Sequence, residues 1–492
     1  MSDQRDYSSA ARPRRVLVVL FDGLRPDVVT AERMPTLHRF LEGARRFTEA
    51  SSVFPSITRV CATAIGTGAP PAVNGIIHNG FPDPAAREGR FLDTALADDM
   101  RRGAAHHGAA FTATPRFADA LAGAGRRFAL VHSGSSGGAY LLDPRARDNG
   151  SAVFSVLGRD QTETPDTWDL VVERLGPPPT APADKLPFLR YAGQAMAEVL
   201  IPELQPDVAF LWLTEPDWSF HYRGMDTPAT AEAMRLADEA FARTLAAIRR
   251  LPGGEDTAVI TMSDHGHVGT TESFDLVAAL RELGFEATLD RPGADLSVAA
   301  GTLCWLWPTE RDEARLGRLA AALQEMPWCG MLLSDGGNGL EGRFPGTFDL
   351  ALVNADHPRS APLLVGMRGG PGPDLFGLPG SSPLVGKDLA RGGGMHGGLH
   401  RREMANLIAL AAPGVSAGED VSPVGLIDIG PTILGLLGIA APASMVGRDI
   451  TNPALSPRSS RTVEVGYGSY RQRLTLAGEG RGTILRDGER IA

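Results

Sequence analysis

The feature that most constrains this chain is a set of short, continuously apolar runs separated by helical patterns. Runs at 16–21, 128–132, 208–213, 258–262 and 350–353 read as strands, and segments 34–42, 117–124, 230–249 and 275–283 read as helices. A strand that is apolar at every position is buried on both faces, so helices must cover each side of a mostly parallel sheet. The expectation is a doubly wound α/β fold. Three of the runs end alike: VLVVLFDG delivers Asp22, VAFLWLTEPD delivers Asp217, and AVITMSDHG delivers Asp264 and His265. In open α/β sheets ligands bind outside the carboxyl ends of the strands. Three carboxylates brought to one such edge repel one another unless a cation sits among them.

The histidines sharpen that expectation. Asp217 and His221 lie four residues apart, on one face of a helical turn. Asp264 and His265 are adjacent at a strand end, and His396 sits in the Gly-rich stretch GGGMHGG. Mixed Asp/His donors favour zinc, with manganese or iron as alternatives, over calcium or magnesium. A hydroxyl stands at the head of the helix expected after Pro55-Ser56-Ile57. Thr58 there is either a helix cap or a nucleophile held as the alkoxide, and the local sequence leaves both open. Asn79, in GIIHNG, either donates to a phosphoryl oxygen or occupies a turn.

Composition excludes several alternatives. With 48 basic against 58 acidic residues the net charge is -10, which does not suit a chain that grips a nucleic-acid backbone. Cys61, Cys304 and Cys329 are far apart and show neither zinc-ligand spacing nor a disulfide framework. The run at 16–21 is too short for a signal sequence or a membrane span, so a cytoplasmic setting without membrane contact is expected. Gly134-Ser-Ser-Gly137-Gly138 lacks dinucleotide-binding spacing.

Four segments are expected along the chain. A polar tail spans 1–14, a catalytic core spans 15–267 and 349–450, an inserted α+β cap spans 268–348, and a strand-poor tail with room for one hairpin spans 451–492. Residues 133–190 and 366–395 read as loop or cap material.

In order, LFDGLRPD, MPTLHRF, FPSITR with TGAPPAVNGIIHN, EPDWSFH, SDHG, MHGG, and LIDIGPTILGLLGI with MVGR resemble the alkaline phosphatase superfamily. The likeness is to its nucleotide pyrophosphatase/type I phosphodiesterase branch, and it extends to phosphonoacetate hydrolases. It implies an alkaline-phosphatase-like three-layer sandwich, with a mostly parallel central sheet, helices on both faces and inserted cap segments. It also implies two zinc ions, one on Asp217, His221 and His396, the other on Asp22, Asp264, His265 and the nucleophile Thr58. Asn79 matches the donor to the phosphoryl oxygen. Two metals about 4 Å apart would clamp the attacking and leaving oxygens of an in-line displacement. The implied activity is hydrolysis of a phosphodiester or pyrophosphate bond in a small anionic substrate, through a phospho-threonine intermediate. C–P cleavage of the phosphonoacetate type is the alternative, but that branch holds the substrate carboxylate with lysines, and this chain has only Lys185 and Lys387. A non-catalytic scaffold would need a damaged ligand set, and no expected ligand is missing. The sequence departs from the pattern at Phe220, where glycine is usual, and at Arg59 after the nucleophile. His267, His357 and Arg359 lie near motif positions without an assigned role.

Overall fold

The computed structural model describes residues 12–492 apart from 109–110, 112–113, 181–184, 387–388 and 390–391. Most of the expected N-terminal tail, and Lys387, therefore lie outside the described residues.

Eight strands form the central sheet: β1 (Arg15–Phe21), β2 (Arg45–Phe47), β3 (Phe128–His132), β4 (Ala152–Ser155), β5 (Val208–Leu213), β6 (Thr257–Met262), β7 (Ile408–Ala411) and β8 (Gly418–Asp420). Their order is β8-β2-β7-β6-β1-β5-β3-β4. From β6 through β4 every neighbour is parallel, and β7 adds an antiparallel pairing at β6. Along β1 the side chains alternate between two cores. Val16, Val18 and Leu20 pack into one, and Leu17, Val19 and Phe21 into the other. Helices α1 (Thr58–Thr67) and α2 (Ser136–Leu142) cover the first face, and α4 (Pro228–Arg249) covers the second, behind the short α3 (Asp217–Arg223). The chain is thus an α/β sandwich of three layers, as its apolar runs require.

A second, six-stranded sheet has its own core. Its strands Leu303–Pro308 and Cys329–Ser334 do not pair directly, because Leu363–Met367 lies between them. The sheet therefore draws a central strand from beyond residue 348, where the sequence ended the insertion. Strand Val268–Phe274, counted with that insertion, belongs to another sheet with Pro379–Val385 and Gly394–Met395. Much of the Gly/Pro-rich 366–395 segment is accordingly paired backbone. Residues 133–190, read as loop, include α2, β4 and a helix at Pro165–Leu175. The run at Leu350–Val353 is a 3-10 turn and not a strand, because the Asp349 carboxylate accepts from the Ala351 N–H and bends the chain.

The C-terminal segment is not strand-poor. Ser460–Tyr467, Tyr470–Ala477 and Ile484–Arg490 form a three-stranded antiparallel sheet, turned first by Gly468-Ser469 with Gly468 at φ 57°. It docks on the inserted sheet through Gln472, whose amide accepts from Leu332 N at 3.0 Å and donates to Leu332 O and Gly346 O, both at 2.8 Å. Gln472→Leu would bury these groups unpaired, at roughly 1–3 kcal/mol each. The expected outcome is a lower urea midpoint for unfolding. An unchanged midpoint would show that this junction does not hold the tail sheet.

Candidate active site

Parallel registry at the sheet centre brings the three acidic strand ends together. Phe21 pairs with Leu213 and Leu20 with Met262, so the residues that follow β1, β5 and β6 emerge side by side. Asp22 leaves β1 with its N–H on Leu213 O at 2.8 Å. Asp217 opens α3, which places His221 one turn later on the same face. Gly23 then turns the chain at φ 68°, where a Cβ would lie 2.3 Å from His267 Cε1. The LRPD that follows is also structural. Buried Arg25 pairs with Asp27 at 2.7 Å and donates to His267 O at 3.1 Å, tying this turn to the loop after β6.

Four imidazoles converge on these carboxylates. Each has its Nδ1 against a backbone carbonyl: His221 on Gly394 O (2.6 Å), His265 on Gly266 O (3.1 Å), His267 on Gly23 O (3.0 Å) and His396 on Ser56 O (2.7 Å). A carbonyl only accepts, so each Nδ1 carries a proton and each ring turns its Nε2 inward. This is how histidines are oriented toward a metal. The Asp217 Oδ1 lies 3.3 Å from His221 Nε2, 3.1 Å from His267 Nε2 and 3.5 Å from His396 Nε2. His265 Nε2 lies 3.4 Å from Asp22 Oδ1 and 3.2 Å from Asp264 Oδ2. The donor atoms form two groups that share Asp217. One contains Asp217, His221, His267 and His396; the other contains Asp22, Asp217 and His265.

The chemistry of this donor set fits divalent cations. Asp22 Oδ1, Asp217 Oδ1, Asp264 Oδ2 and His267 Nε2 are buried without a hydrogen-bond partner. Burial, then the charges of Asp264 and Asp217, push the Asp22 carboxyl well above its ordinary range. Burial lifts Asp264 to about 7 and drives His265 down to about 3.

Thr58, only 4% exposed, is the first residue of α1, and its Oγ1 lies 3.3 Å from His265 Nε2. A cleft of about 460 Å³ opens over it, walled by Thr58, Arg59, Asn79, Asp217, His221 and His396 among others. Asn79 Oδ1 accepts from the Arg59 N–H at 3.4 Å, which leaves its amide nitrogen as the free donor. The residues expected from the sequence to bind metal or substrate, Asp22, Thr58, Asn79, Asp217, His221, Asp264, His265 and His396, therefore meet at one place. His267 joins them more closely than its sequence position suggested, and SDHGH was the available signal. Phe220, the departure from glycine, packs edge-on to His267 at 5.1 Å. His357 and Arg359 instead buttress the outside of the Asn79 loop, with Arg359 donating to Gly75 O at 2.9 Å. Cys61 is buried against Ser52, and burial pushes its thiol well up, so it is no nucleophile.

Residues 16–329 match the sequence family described as type I phosphodiesterase/nucleotide pyrophosphatase. No curated protein matches. Among solved structures, murine ectonucleotide pyrophosphatase/phosphodiesterase 5 is similar at TM-score 0.58 and 16% identity, over 87% of this chain and 96% of that one. An inactive threonine-to-alanine variant of the same murine protein, in complex with AMP, is similar at TM-score 0.58 and 15% identity over the same shares. The fold is thus alkaline-phosphatase-like, and the chain is a phosphoric ester hydrolase. It belongs to the type I phosphodiesterase/nucleotide pyrophosphatase family.

Carboxyls that hold protons near neutrality must release them to a metal. Adding a divalent cation to the metal-free protein at about pH 6 should release on the order of one proton per molecule from Asp264, and fewer at about pH 9. Calorimetric titrations in buffers of different ionisation enthalpy measure this. Equal release at both pH values would contradict the protonated state.

Proposed function

We propose that the protein hydrolyses phosphodiester or pyrophosphate bonds through a covalent intermediate on Thr58, assisted by two zinc ions. One ion would be held by Asp217, His221 and His396, with His267 at hand, and the other by Asp22, Asp264, His265 and Thr58. Bound there, the cations would supply Lewis acidity, lowering the threonine hydroxyl pKa and neutralising phosphoryl charge. The observation that carries the reading is the position of Thr58. Its hydroxyl stands at a helix N-terminus, at the floor of the cleft, against the Asp/His cluster.

From that position Oγ1 attacks phosphorus in line with the bond to be broken, and the leaving group departs toward the open cleft. The Asn79 amide N–H donates to a non-bridging oxygen as charge builds there, and the N-terminus of α1 favours the same charge. Water entering on the vacated side then breaks the Thr58–phosphorus bond and restores the hydroxyl. The murine protein's inactive form, which carries a threonine-to-alanine change and binds AMP, supports a threonine-dependent reaction on a nucleotide-like substrate. The buried, unbridged cysteines accord with a cytoplasmic setting, and no helix among the described residues is long and apolar enough to cross a membrane.

Two variants separate nucleophile from metal site. Thr58→Ala should lose at least about 10³-fold in kcat while retaining both metals. His396→Ala should lose about one metal equivalent per chain by elemental analysis. Full activity in Thr58→Ala, or full metal content in His396→Ala, would refute the corresponding assignment.

A further inference from the structure

Arg59 directly follows Thr58 in the first turn of α1 and lines the same cleft. Arginines in folded proteins usually settle their charge against a carboxylate or a carbonyl. Arg90, the other arginine in this wall, does so: it donates to Phe91 O at 2.9 Å and to Asp99 Oδ1 at 2.9 Å. Arg59 does not. Its Nε is buried without a hydrogen-bond partner, and among the described residues no carboxylate lies within ion-pair distance of it. Its charge nevertheless reaches into the site, where it adds to the burial that drives down the His132 imidazole at the end of β3.

The charge balance gives that isolation a consequence. On the function proposed above, two divalent cations outweigh Asp22, Asp217 and Asp264 by one charge, and Arg59 adds a second. A half-buried guanidinium beside such an excess favours an anion facing it. Apart from Asp217, which faces the histidines, the acidic cleft residues are Asp93 and Asp290, and neither pairs with Arg59. A guanidinium is a planar fork that takes two oxygens at once. Because Arg59 is the next residue to Thr58, those oxygens would adjoin the phosphorus under attack.

We infer that Arg59 is a specificity-determining residue that binds anionic oxygens on or next to the scissile phosphorus, so that the site favours substrates with a second negative charge there over singly charged diesters. The inference rests on the function proposed above and narrows its substrate class. The second charge can come from a phosphoanhydride, a phosphomonoester or a phosphonocarboxylate, all of which present the same paired oxygens.

The test uses the full, metal-loaded chain and its Arg59→Ala and Arg59→Lys variants. Initial rates are measured on bis(4-nitrophenyl) phosphate, 4-nitrophenyl phosphate, a nucleoside triphosphate and phosphonoacetate. The ratio of kcat/KM on the best multiply charged substrate to that on the diester should fall by at least about tenfold in Arg59→Ala, with partial recovery in Arg59→Lys. The substrate that dominates in the wild type identifies the source of the second charge. Independently of turnover, inorganic pyrophosphate should bind Thr58→Ala protein at least about tenfold more tightly than the Thr58→Ala, Arg59→Ala double variant by calorimetry. An unchanged ratio together with unchanged pyrophosphate affinity would overturn the inference. Failure of the proposed reaction has a different signature, namely turnover that survives Thr58→Ala.

Discussion

The structure depends on concentrating negative charge where it is least tolerated. Asp22, Asp217 and Asp264 are brought to one buried edge because parallel strands must end together, and water is excluded from most of that edge. Like charges so placed either take up protons or require cations. The surrounding backbone favours the second outcome. Four imidazoles are each fixed by a carbonyl on Nδ1, so the inward-facing atom of each is Nε2, the nitrogen left to bind a cation. Raised carboxyls and depressed imidazoles describe the same unfilled demand from its two sides.

The peripheral elements serve this edge. Glu403, buried, accepts from Gly398 N at 3.0 Å, His400 N at 3.2 Å and Thr302 Oγ1 at 2.6 Å. It thereby holds the loop after His396 against the start of the inserted sheet. The strand at Gly394–Met395 pairs with the backbone just beyond His267, so His396 is placed by sheet geometry as well as by its carbonyl partner. The inserted sheet and the C-terminal sheet are joined through Gln472, and Gly488 of the C-terminal sheet donates to Leu399 O at 2.8 Å, supporting the loop that carries His396.

The central sheet and most of the site were legible in the sequence because both are written in local signals. Most runs apolar at every position are doubly buried strands, and a carboxylate at the end of three of them marks the ligand edge. The parts that were misread depend on distant partners. Leu350–Val353 is as apolar as a strand, but one side-chain bond from Asp349 bends it. The strand at Leu363–Met367 completes a sheet whose other strands come mostly from before residue 349, a pairing that no local pattern reveals. Among the C-terminal strands, Tyr470–Ala477 alternates but carries polar Gln472 at a buried position, and Ser460–Tyr467 is mostly exposed, so neither stands out as an apolar run. His267 was underweighted because its approach to Asp217 depends on the turn at Gly23, more than 240 residues away in the chain.

The central claim is that the Asp/His cluster serves a covalent transfer to Thr58. Its most direct test is acid quenching during steady turnover of an activated diester, followed by mass spectrometry of the peptide containing Thr58. The account predicts that this peptide carries the substrate's phosphoryl group, and that the label disappears when substrate is exhausted. Rapid turnover with an unmodified Thr58 peptide, together with inversion at a chiral phosphorus, would mean that water attacks directly and would contradict it.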